Sequence, residues 1–521
     1  MSRESEAGAP TARDQPAAPV PAAREHRAAP AAREHRAAPA AREHRAAPAA
    51  RDHRATPPGA TRWVALVVLC AGMLMIILDQ TIVNVALPAI QADLGFSPAG
   101  LAWVINAYLL AFGGLLLLAG RLGDLIGRRT VFLTGLAVFT VASLLCGLAW
   151  TPALLIGARF VQGVGGALAS AVILGMIVTM FPEPREQAKA IGVFSFVASA
   201  GASIGLLAGG ALTEALNWHW IFFVNVPIGV AAGLFAWRLL APERGLGLDA
   251  GADALGAVLV TAALMLAVYT IVDAHSVALG LVAVALLGAF VWRQAVIARP
   301  LLRLGLLRSR NVAGANVVQM IAVAGMLGMS FLAVLYLQRV LGYDALRTGV
   351  AFLPISLAIG VLSLGFSARL NARFGAQFVL LPALALISGG LWLLGRAPVD
   401  GVYVVDVLPA LLAMGVGAGL AIPALMTLAM SGVAPEDSGL ASGLVNTTQQ
   451  VGGAFGIAVL AAVADSRSGG STAPAALQSG YSAAFTLAAA LVLAALVLAA
   501  VVLSRRPARA AEPSEAAVAA R

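Results

Sequence analysis

Charged side chains are scarce in this chain. Asp, Glu, Lys and Arg make up only 11% of its 521 residues, whereas 60% of the residues are hydrophobic. A soluble domain of this length would carry roughly a quarter charged residues, because its surface must face water. The mean hydropathy of +0.89 also indicates that lipid is the solvent for much of this surface. The deficit of charge therefore excludes an ordinary soluble domain and predicts a polytopic membrane protein.

Cysteine, strand patterning and a leader-like segment are lacking as well. The two cysteines, Cys70 and Cys146, lie inside apolar runs and form no disulfide framework, so they leave the redox compartment open. The alternation of apolar and polar residues that marks a membrane β-barrel is absent. No apolar segment precedes Trp63, so we expect the first span, rather than a cleavable signal, to target the protein.

Long stretches without charge fit the length of a membrane-spanning helix, which needs about 20 apolar residues. Helices satisfy the backbone hydrogen bonds of such runs within lipid. The stretch 130–182 contains a single charge, Arg159, and is broken at Trp150-Thr151-Pro152, so it predicts two spans. We place fourteen spans near 63–87, 98–119, 130–149, 152–178, 188–211, 219–238, 254–273, 276–296, 312–337, 348–368, 377–395, 404–428, 439–463 and 480–503.

Positive charge is distributed unevenly between the two sets of alternating loops. One set carries 18 Lys and Arg residues and the other carries four. Because cytoplasmic loops are the basic ones, this bias predicts that both termini are cytoplasmic and that the number of spans is even. The net charge of +9 and the pI near 10.4 then follow from topology in the cell membrane. Nucleic-acid binding is not expected.

The sequence predicts five segments. Residues 1–61 hold four copies of a nine-residue unit, Pro-Ala-Ala-Arg-(Glu/Asp)-His-Arg-Ala-(Ala/Thr), which has little to bury and predicts a disordered cytoplasmic tail. Histidines nine residues apart in a flexible chain preform no metal site, whereas contact with anionic lipid stays open. The other segments are a six-helix half at 62–238, a linker with two extra helices at 239–310, a second six-helix half at 311–504 and a cytoplasmic tail at 505–521.

A faint internal repeat supports the two halves. Residues 120–127 (GRLGDLIG) follow the second span of the first half, and residues 368–375 (ARLNARFG) follow the second span of the second half. Three of the eight positions match, namely the Arg, the Leu and the final Gly. Two similar six-helix halves around a midplane cavity are a common plan for transporters.

Two charged residues within the predicted spans carry the strongest functional signal. Asp79 follows sixteen uncharged residues and precedes thirteen more. A carboxylate at that depth costs at least about 2.5 kcal/mol and persists mostly where it lines a pathway or relays protons. Arg159 is the second such residue, and Gln162 shares its helix face. The competing interpretations are a carboxylate at the headgroup level and an arginine that extends to the interface.

Residues 120–129 predict a tight loop between the second and third spans. The glycines permit the turn, and the mixed charges suit a cytoplasmic latch whose ion pairs form and release. Ordinary loop charge is the alternative, but it would not need an acidic residue. The residues of this predicted gating loop are Gly120, Arg121, Asp124, Gly127, Arg128 and Arg129.

A glycine ladder runs along the fifth predicted span. Small residues at this spacing let helix backbones approach closely in lipid, so we expect the ladder to pack against a neighbouring helix. Its members are Gly201, Gly205 and Gly209, with Gly210 adjacent.

Four segments occur in the order and at the positions found in one transporter family. They are residues 78–88 (LDQTIVNVALP) in the first span, 120–129 (GRLGDLIGRR) after the second, 159–166 (RFVQGVGG) in the fourth and 218–229 (WHWIFFVNVPIG) at the start of the sixth. Through them the chain resembles the fourteen-span drug:proton antiporter branch of the major facilitator superfamily, over roughly 62–504.

The resemblance implies an all-α polytopic membrane fold of two six-helix halves plus two extra central helices. It also implies proton-driven export by alternating access, with Asp79 and Arg159 as the proton-coupling residues and 120–129 as the gating loop. One position departs from the family, whose fifth span has Gly-Pro where this chain has Gly205-Leu206. Leucine neither removes a backbone donor nor bends the helix, which leaves the direction of transport open.

Substrate preference is encoded only weakly. Polar and aromatic groups within the spans suit a cavity for a bulky, partly apolar solute. The candidates for this cavity are Asn84, Trp103, Asn106, Tyr108, Gln162 and Gln449.

The sequence therefore predicts a secondary active exporter of hydrophobic or drug-like small molecules. An HExxH motif, a nucleophile elbow and a phosphate loop are absent from the sequence, so an enzyme is not expected, nor is a metal or a cofactor. We expect a monomer in the cell membrane whose partners are the small-molecule substrate, protons and the lipid bilayer. A metabolite importer or uniporter of the same fold is the alternative.

Overall fold

The computed structural model describes residues 59–503 except 98–99, 244, 248, 250, 275 and 434–436. The nine-residue repeats and the C-terminal tail at 505–521 lie outside the described residues. The cytoplasmic location of the two termini stays a prediction. The described residues form helices joined by short turns, and none of them is in a β-strand.

Seventeen α-helices make up the described part of the chain, together with a few 3₁₀- and π-helical turns. They are α1 (Gly59–Leu94), α2 (Trp103–Ile126), α3 (Arg128–Gly147), α4 (Pro152–Met180), α5 (Pro184–Ala215), α6 (Trp220–Phe223), α7 (Asn225–Leu239), α8 (Ala254–Tyr269), α9 (Val277–Val296), α10 (Arg310–Arg339), α11 (Ala345–Ala351), α12 (Leu353–Val361), α13 (Ser367–Phe374), α14 (Ala376–Leu394), α15 (Leu408–Ala429), α16 (Ser438–Ser468) and α17 (Pro474–Val502). Thirteen helical segments in the described residues are long and apolar enough to cross a membrane, and the shorter apolar segment Ala345–Val361 makes a fourteenth. The predicted fourteen-span α-helical fold is confirmed.

The tenth predicted span, 348–368, is built from three short helices. α11 ends at Ala351, and Pro354 stands in the first turn of α12, where its missing N–H removes no helical hydrogen bond. The chain then passes through a π-helical turn, Leu362–Phe366, into α13. The interruptions explain why this span is the shortest of the apolar segments.

The predicted loop at 120–129 is shorter than its motif, which corrects the expectation of a ten-residue loop. α2 stays helical through Ile126 and α3 begins at Arg128, so Gly127 alone forms the corner. Its φ of +94° lies in a region that residues with a Cβ rarely adopt. Gly375 forms the equivalent corner between α13 and α14, with a φ of +87°. The last glycine of each copy of the faint repeat therefore has the same backbone role.

The helices pack as two groups of neighbours. Within α1 to α7, the closest partners are α3 with α4, α2 with α4 and α1 with α5. Within α10 to α17, they are α14 with α15, α10 with α16 and α10 with α17. The groups meet where α2 packs on α16 and where α5 packs on α11. The predicted segment boundaries at 238, 310 and 504 stay a prediction.

The two extra helices attach to the first group through α8. At Gly114 of α2 a Cβ atom would lie only 2.3 Å from Thr261 Oγ1 of α8, so the missing side chain lets the two helices touch. α9 packs mainly on α8 and exposes large apolar side chains, among them Val277 and Trp292 at 80% and 68% exposure. Such an outer surface suits contact with lipid rather than water.

The helix bundle has a near face and a far face. The near face is the one at which α1 begins, at Gly59, and the far face is the one at which α1 ends, at Leu94.

Candidate functional site

Asp79 lies in the interior of the bundle. Its side chain is fully buried, and α1 continues beyond it through Pro88 to Leu94. The alternative of a carboxylate at a helix end is therefore not supported by the structure. The helix places the carboxyl group between α4 and α7, where other side chains must satisfy its oxygens.

Arg159 is the ionic partner of Asp79. Its Nη1 lies 2.6 Å from Asp79 Oδ2, and its Nε donates to the backbone oxygen of Val104 at 2.9 Å. The guanidinium also lies over the ring of Tyr108, 4.5 Å from the centroid. Because the Arg159 side chain is only 1% exposed, it does not extend to a membrane interface, which was the competing interpretation.

Two amide side chains complete the coordination of the carboxylate. Asp79 Oδ1 accepts hydrogen bonds from Gln162 Nε2 at 2.7 Å and from Asn225 Nδ2 at 3.0 Å. Gln162 is fixed in turn, because its Oε1 accepts from Arg159 Nη1 at 2.7 Å and its Nε2 donates to Ser143 Oγ at 2.7 Å. This cluster of five side chains, called the carboxylate cluster below, joins α1, α3, α4 and α7.

Sequence reasoning placed three members of the carboxylate cluster among the predicted site residues and did not identify Asn225 or Ser143 as its other members. Asp79, Arg159 and Gln162 were predicted site residues, and the structure brings them together. Asn225 lies within the segment 218–229, so the sixth-span motif was the signal that could have identified it as a ligand of the carboxylate. Ser143 carries no such signal, because a single serine in an apolar helix is common.

The predicted cavity residues are less closely grouped. Tyr108 lies beside the cluster, and Gln80 Nε2 donates to its hydroxyl at 3.4 Å. Trp103 contacts Tyr269 of α8, with ring centroids 6.4 Å apart. Asn84 donates to carbonyl oxygens of its own helix, and Gln449 is half-buried on α16. Tyr108 thus lies against the guanidinium of Arg159, whereas Asn84 bonds within its own helix and Trp103 contacts α8.

Asn106, another predicted cavity residue, is buried without a hydrogen-bond partner in the described part of the chain. It is fully buried on α2, yet neither its Oδ1 nor its Nδ2 has a hydrogen-bond partner among the described residues. Buried amides are nearly always paired with protein or water. An unpartnered amide in the core of a bundle thus indicates a place where a water molecule or a polar part of a solute binds.

The corner at Gly127 is covered by the chain that links α7 to α8. Leu246 N donates to Asp124 O at 2.9 Å, and Gly247 N donates to Leu125 O at 3.0 Å. Arg121 Nε donates to Gly251 O at 3.3 Å. The linker is therefore bonded to the end of α2 through backbone atoms, a contact that no motif in the sequence indicates.

The charged side chains of the predicted gating loop point to several partners. Arg128 approaches Asp124 at 3.7 Å and donates to Gly175 O of α4 at 3.2 Å. Arg129 donates to Trp237 O of α7. A Cβ at Gly123 would lie 2.5 Å from Val172 of α4, whereas Gly120 has no atom within 4 Å of that position. The corner is thus tied to α4 and α7, which also carry members of the carboxylate cluster.

The glycine ladder of α5 lies against the part of α1 that carries Asp79. A Cβ at Gly205 would lie 2.0 Å from Thr81 Oγ1 and 2.9 Å from Leu78 O, and a Cβ at Gly209 would lie 2.5 Å from Ile82 O. Gly201 faces Leu74 and Ile77 in the same way. The small residues therefore permit backbone contact next to the buried carboxylate.

The adjacent face of α5 contacts the second group of helices. A Cβ at Gly210 would lie 2.6 Å from Ala345 O of α11, and a Cβ at Gly349 would lie 2.6 Å from Leu206 O. α5 thus contacts the Asp79 segment with one face and α11 with the other. Within the described residues, no group of three or more His, Cys, Asp or Glu side chains could hold a metal ion.

Comparison with known proteins identifies the family of this chain. Residues 69–457 match the model of the Major Facilitator Superfamily. The chain is 40% identical over 450 residues to the puromycin resistance protein pur8 of Streptomyces alboniger, which covers 84% of this chain and 89% of that relative. It is 39% identical over 444 residues to the cephamycin export protein CmcT of Amycolatopsis lactamdurans, with 83% and 91% covered. The tetracenomycin C resistance and export protein of Streptomyces glaucescens is 33% identical over 417 residues, with 78% and 77% covered.

Solved structures of transporters share the fold at low sequence identity. A bacterial homologue of the human lysosomal transporter Spinster, inward-facing and unoccupied, superposes with a TM-score of 0.62 at 16% identity over 85% of this chain and 97% of that chain. The nucleoside transporter NupG gives a TM-score of 0.62 at 10% identity over 85% and 100% of the two chains. Together with the sequence relatives, these matches confirm the prediction from the four motifs: the chain belongs to the Major Facilitator Superfamily, in its drug-efflux branch.

Proposed function

We propose that this protein exports hydrophobic or drug-like small molecules across the cell membrane in exchange for protons, by alternating access. Relatives that match most of the chain are named for export of, or resistance to, puromycin, cephamycin and tetracenomycin C. Antibiotics or self-made metabolites of comparable size and polarity are the substrate class that we expect. The observation that carries the coupling to protons is the buried pair of Asp79 and Arg159.

Protonation of Asp79 provides the switch. While Asp79 is ionised, its carboxylate ties α1 to Arg159 and Gln162 of α4 and to Asn225 of α7. A proton that binds the carboxylate cancels its charge and ends the Coulombic attraction to the guanidinium. Losing one side of a buried ion pair costs about 3–5 kcal/mol, which is large enough to favour a different packing of α1 against α4 and α7.

The packing of α5 transmits this change to the second group of helices. Gly205 and Gly209 hold α5 against residues 78–82 of α1, and Gly210 holds it against α11. Close-packed helices move as discrete units rather than deforming continuously. A shift of α1 that follows protonation therefore moves α5 against α11, where the two groups of helices meet.

Substrate recognition is assigned to the buried face of α2. Asn106 offers an unpartnered donor and acceptor, and the ring of Tyr108 lies beside the carboxylate cluster. A site with a few polar groups among apolar walls suits bulky, partly apolar solutes. A solute bound there would contact the helix whose Val104 carbonyl holds Arg159, and this contact connects substrate binding to the ion pair.

The corner at Gly127 is proposed as the gate on the near face. Arg128 and Arg129 at the start of α3 bond to α4 and α7, so these contacts must break if either helix shifts relative to α3. We assign the near face to the cytoplasm, because the basic set of loops lies there by the positive-inside rule. The protein acts as a monomer of two six-helix halves with a two-helix linker, and it catalyses no chemical reaction.

The alternative is an importer or uniporter. It is motivated by α5, which runs as one helix from Pro184 to Ala215 through Leu206, where the family has proline. Both candidates are tested with one experiment. A susceptibility screen in an efflux-deficient host, with puromycin among the compounds, first identifies a substrate, and the purified chain is then reconstituted in vesicles with an imposed pH gradient. Uptake of that compound against its own gradient, driven by the pH gradient, is expected. Movement that is indifferent to the pH gradient would contradict the exporter.

A further inference from the structure

A cavity lies at the far face, apart from the carboxylate cluster. It has a volume of about 440 Å³ and is enclosed by the ends of α1, α10 and α16 and the start of α17. Ligand pockets in proteins range over roughly 300–1,000 Å³, so the cavity can hold a small organic molecule. It lies between a helix of the first group and three helices of the second, where a bound solute would touch both.

The inner wall of this cavity is apolar. Phe331, Leu332 and Leu335 of α10 line it, together with Tyr481 of α17. All four side chains are almost fully buried. The hydrocarbon or aromatic body of a solute would pack against this wall.

The rim of the cavity carries one positive and one negative side chain. Arg339 lies beside the hydroxyl of Tyr481, and Asp465 lies on α16 in the same wall. In the described part of the chain, no nitrogen of Arg339 approaches the Asp465 carboxylate within 4.0 Å, and no other cation does so. Two opposite charges that share a cavity without pairing leave room for a group that is itself dipolar.

Gln91 of α1 supplies a third polar group. Its Nε2 donates to Phe96 O at 2.9 Å, whereas its Oε1 is buried and has no hydrogen-bond partner among the described residues. An acceptor without a donor is costly in a folded protein unless water or a ligand supplies one. The residues that line the cavity thus include one with an unpartnered acceptor, Gln91, as well as Asp465 and Arg339.

We propose that this far-face cavity is a second binding site, which takes an amphipathic zwitterion with its amine at Asp465, its carboxylate at Arg339 and its apolar body against Phe331 and Leu335. Neither the four sequence motifs nor the relatives assign this site. Its role as a station for solutes that leave through the far face rests on the proposed export function. The binding itself does not depend on proton coupling.

Three dansyl probes that share the same fluorophore and similar alkyl chains test the charge preference. Nα-dansyl-L-lysine carries an amine and a carboxylate, dansylcadaverine carries only the amine, and Nα-dansyl-L-norleucine carries only the carboxylate. Binding to the purified full-length chain in lipid nanodiscs is followed by dansyl fluorescence at neutral pH without a pH gradient. Because a charge-assisted hydrogen bond contributes about 1.5–3 kcal/mol, the zwitterion should bind at least about tenfold tighter than either singly charged probe.

Variants of the two charged residues identify the site. Arg339→Gln should reduce the affinity for the zwitterion to that for dansylcadaverine, and Asp465→Asn should reduce it to that for the norleucine probe. Arg467→Gln and Asp400→Asn are matched controls, because both residues are exposed near the far face and neither lines the cavity. Tyr481→Phe removes the hydroxyl that Arg339 contacts but keeps both charges, and the preference for the zwitterion should survive.

Two results would overturn the proposed site. The first is a wild-type chain that binds the three probes equally or shows no saturable binding of the zwitterion, an outcome that requires no variant to fold. The second is an unchanged preference in both Arg339→Gln and Asp465→Asn. Loss of proton-driven transport together with intact, charge-selective binding would instead contradict the proposed function and leave the far-face site standing.

Discussion

Arg159 Nη1 lies 2.6 Å from Asp79 Oδ2, and neither side chain is more than 1% exposed. The two residues are 80 positions apart in the chain, so their contact ties the first span to the fourth. The same nitrogen donates to Gln162, whose amide returns to the other oxygen of Asp79. Gln162 thereby bonds to both members of the pair, and changing either charge must disturb the packing of α1 against α4.

The first prediction concerns the charge of Asp79. Asp79→Asn keeps the size of the side chain but removes the proton-binding group, so proton-driven efflux should be lost while the protein still inserts into the membrane. Transport in vesicles with a pH gradient measures the effect. Asp400→Asn, which alters an exposed acid, should transport as the wild type does. Undiminished pH-driven efflux by Asp79→Asn would remove Asp79 from the coupling mechanism.

The ion pair also predicts that replacing both charges costs less stability than replacing Asp79 alone. Asp79→Asn leaves Arg159 as an uncompensated buried charge, which costs about 3–5 kcal/mol. The double variant Asp79→Asn with Arg159→Gln removes both charges, so it should unfold at a higher temperature than Asp79→Asn alone and still fail to couple transport to protons. Thermal unfolding of the purified chains measures this. A double variant that is destabilised by the sum of the two single effects would show that the residues do not act as a pair.

The close contact of Gly205 with α1 predicts that stability and transport depend on the packing of α5 against α1. In Gly205→Ala the new methyl group would lie 2.0 Å from Thr81 Oγ1 and 2.9 Å from the backbone oxygen of Leu78. Overpacking of this kind costs about 1–3 kcal/mol, and both the unfolding temperature and the transport rate should fall. Gly192→Ala in the same helix is the control, because no atom lies within 4 Å of its new methyl group. Equal behaviour of the two variants would argue against the predicted ladder.

The contact of Gly245 with Leu125 predicts that the linker between α7 and α8 controls movement at the Gly127 corner. A methyl group there would lie 2.0 Å from Leu125 O and would displace the linker residues that bond to Asp124 O and Leu125 O. We expect Gly245→Ala to change the rate of transport while the affinity for substrate is unchanged, because the corner is far from the carboxylate cluster in the fold. Gly305→Ala, in another connecting segment and with no atom within 4 Å, should have no effect. A loss of substrate affinity in Gly245→Ala that is as large as its change in transport rate would argue against a gating role for the Gly127 corner.

Asp253 predicts a dependence of stability on pH. The carboxyl group caps α8 at Gly256 N and joins α9 through Arg293 Nε at 2.6 Å and Gln294 Nε2 at 2.7 Å. Burial raises the pKa of Asp253, but the hydrogen bonds from Arg293, Gly256 and Gln294 outweigh burial and lower the pKa below its ordinary value of 3.8. The stabilisation is therefore present above pH about 4 and is lost as the pH falls through the lowered pKa.

The measurement for Asp253 is the unfolding temperature of the wild type and of Asp253→Asn as a function of pH. The wild type should be more stable at pH 7, since hydrogen bonds to a charged group contribute about 1.5–3 kcal/mol. The difference between the two chains should shrink towards pH 3. A difference that stays constant over this range would mean that the charge of Asp253 does not contribute.

Much of the architecture follows from local sequence. Fourteen apolar runs of span length predict fourteen helices, because a helix in lipid must satisfy its backbone within the segment itself. Asp79 and Arg159 were recognisable for the same reason, since a charge inside such a run stands out without any knowledge of its neighbours. The ladder Gly201, Gly205 and Gly209 was visible through its spacing alone, although its partner helix was not.

Contacts between distant segments could not be read from the sequence. Asn225 is 146 positions from Asp79, and although it lies in the sixth-span motif, that motif does not show which carboxylate its amide binds. The loop predicted at 120–129 shrank to Gly127 because glycines within a helix, such as Gly120 and Gly123, need not end it. The bonds from the linker to Asp124 and Leu125 involve only backbone atoms, which leave no trace in side-chain identity.

The sequence by itself determined that this chain is a membrane protein with fourteen spans and that two charged residues, Asp79 and Arg159, lie inside spans. These are properties of single segments in their solvent, and hydropathy and spacing encode them directly. Only the tertiary structure decided that Asp79 and Arg159 are partners, that Gly205 lies beside them, and that Arg339 and Asp465 share a cavity unpaired. Such relations depend on which helix faces which, and that choice is made by the packing of the whole bundle rather than by any one span.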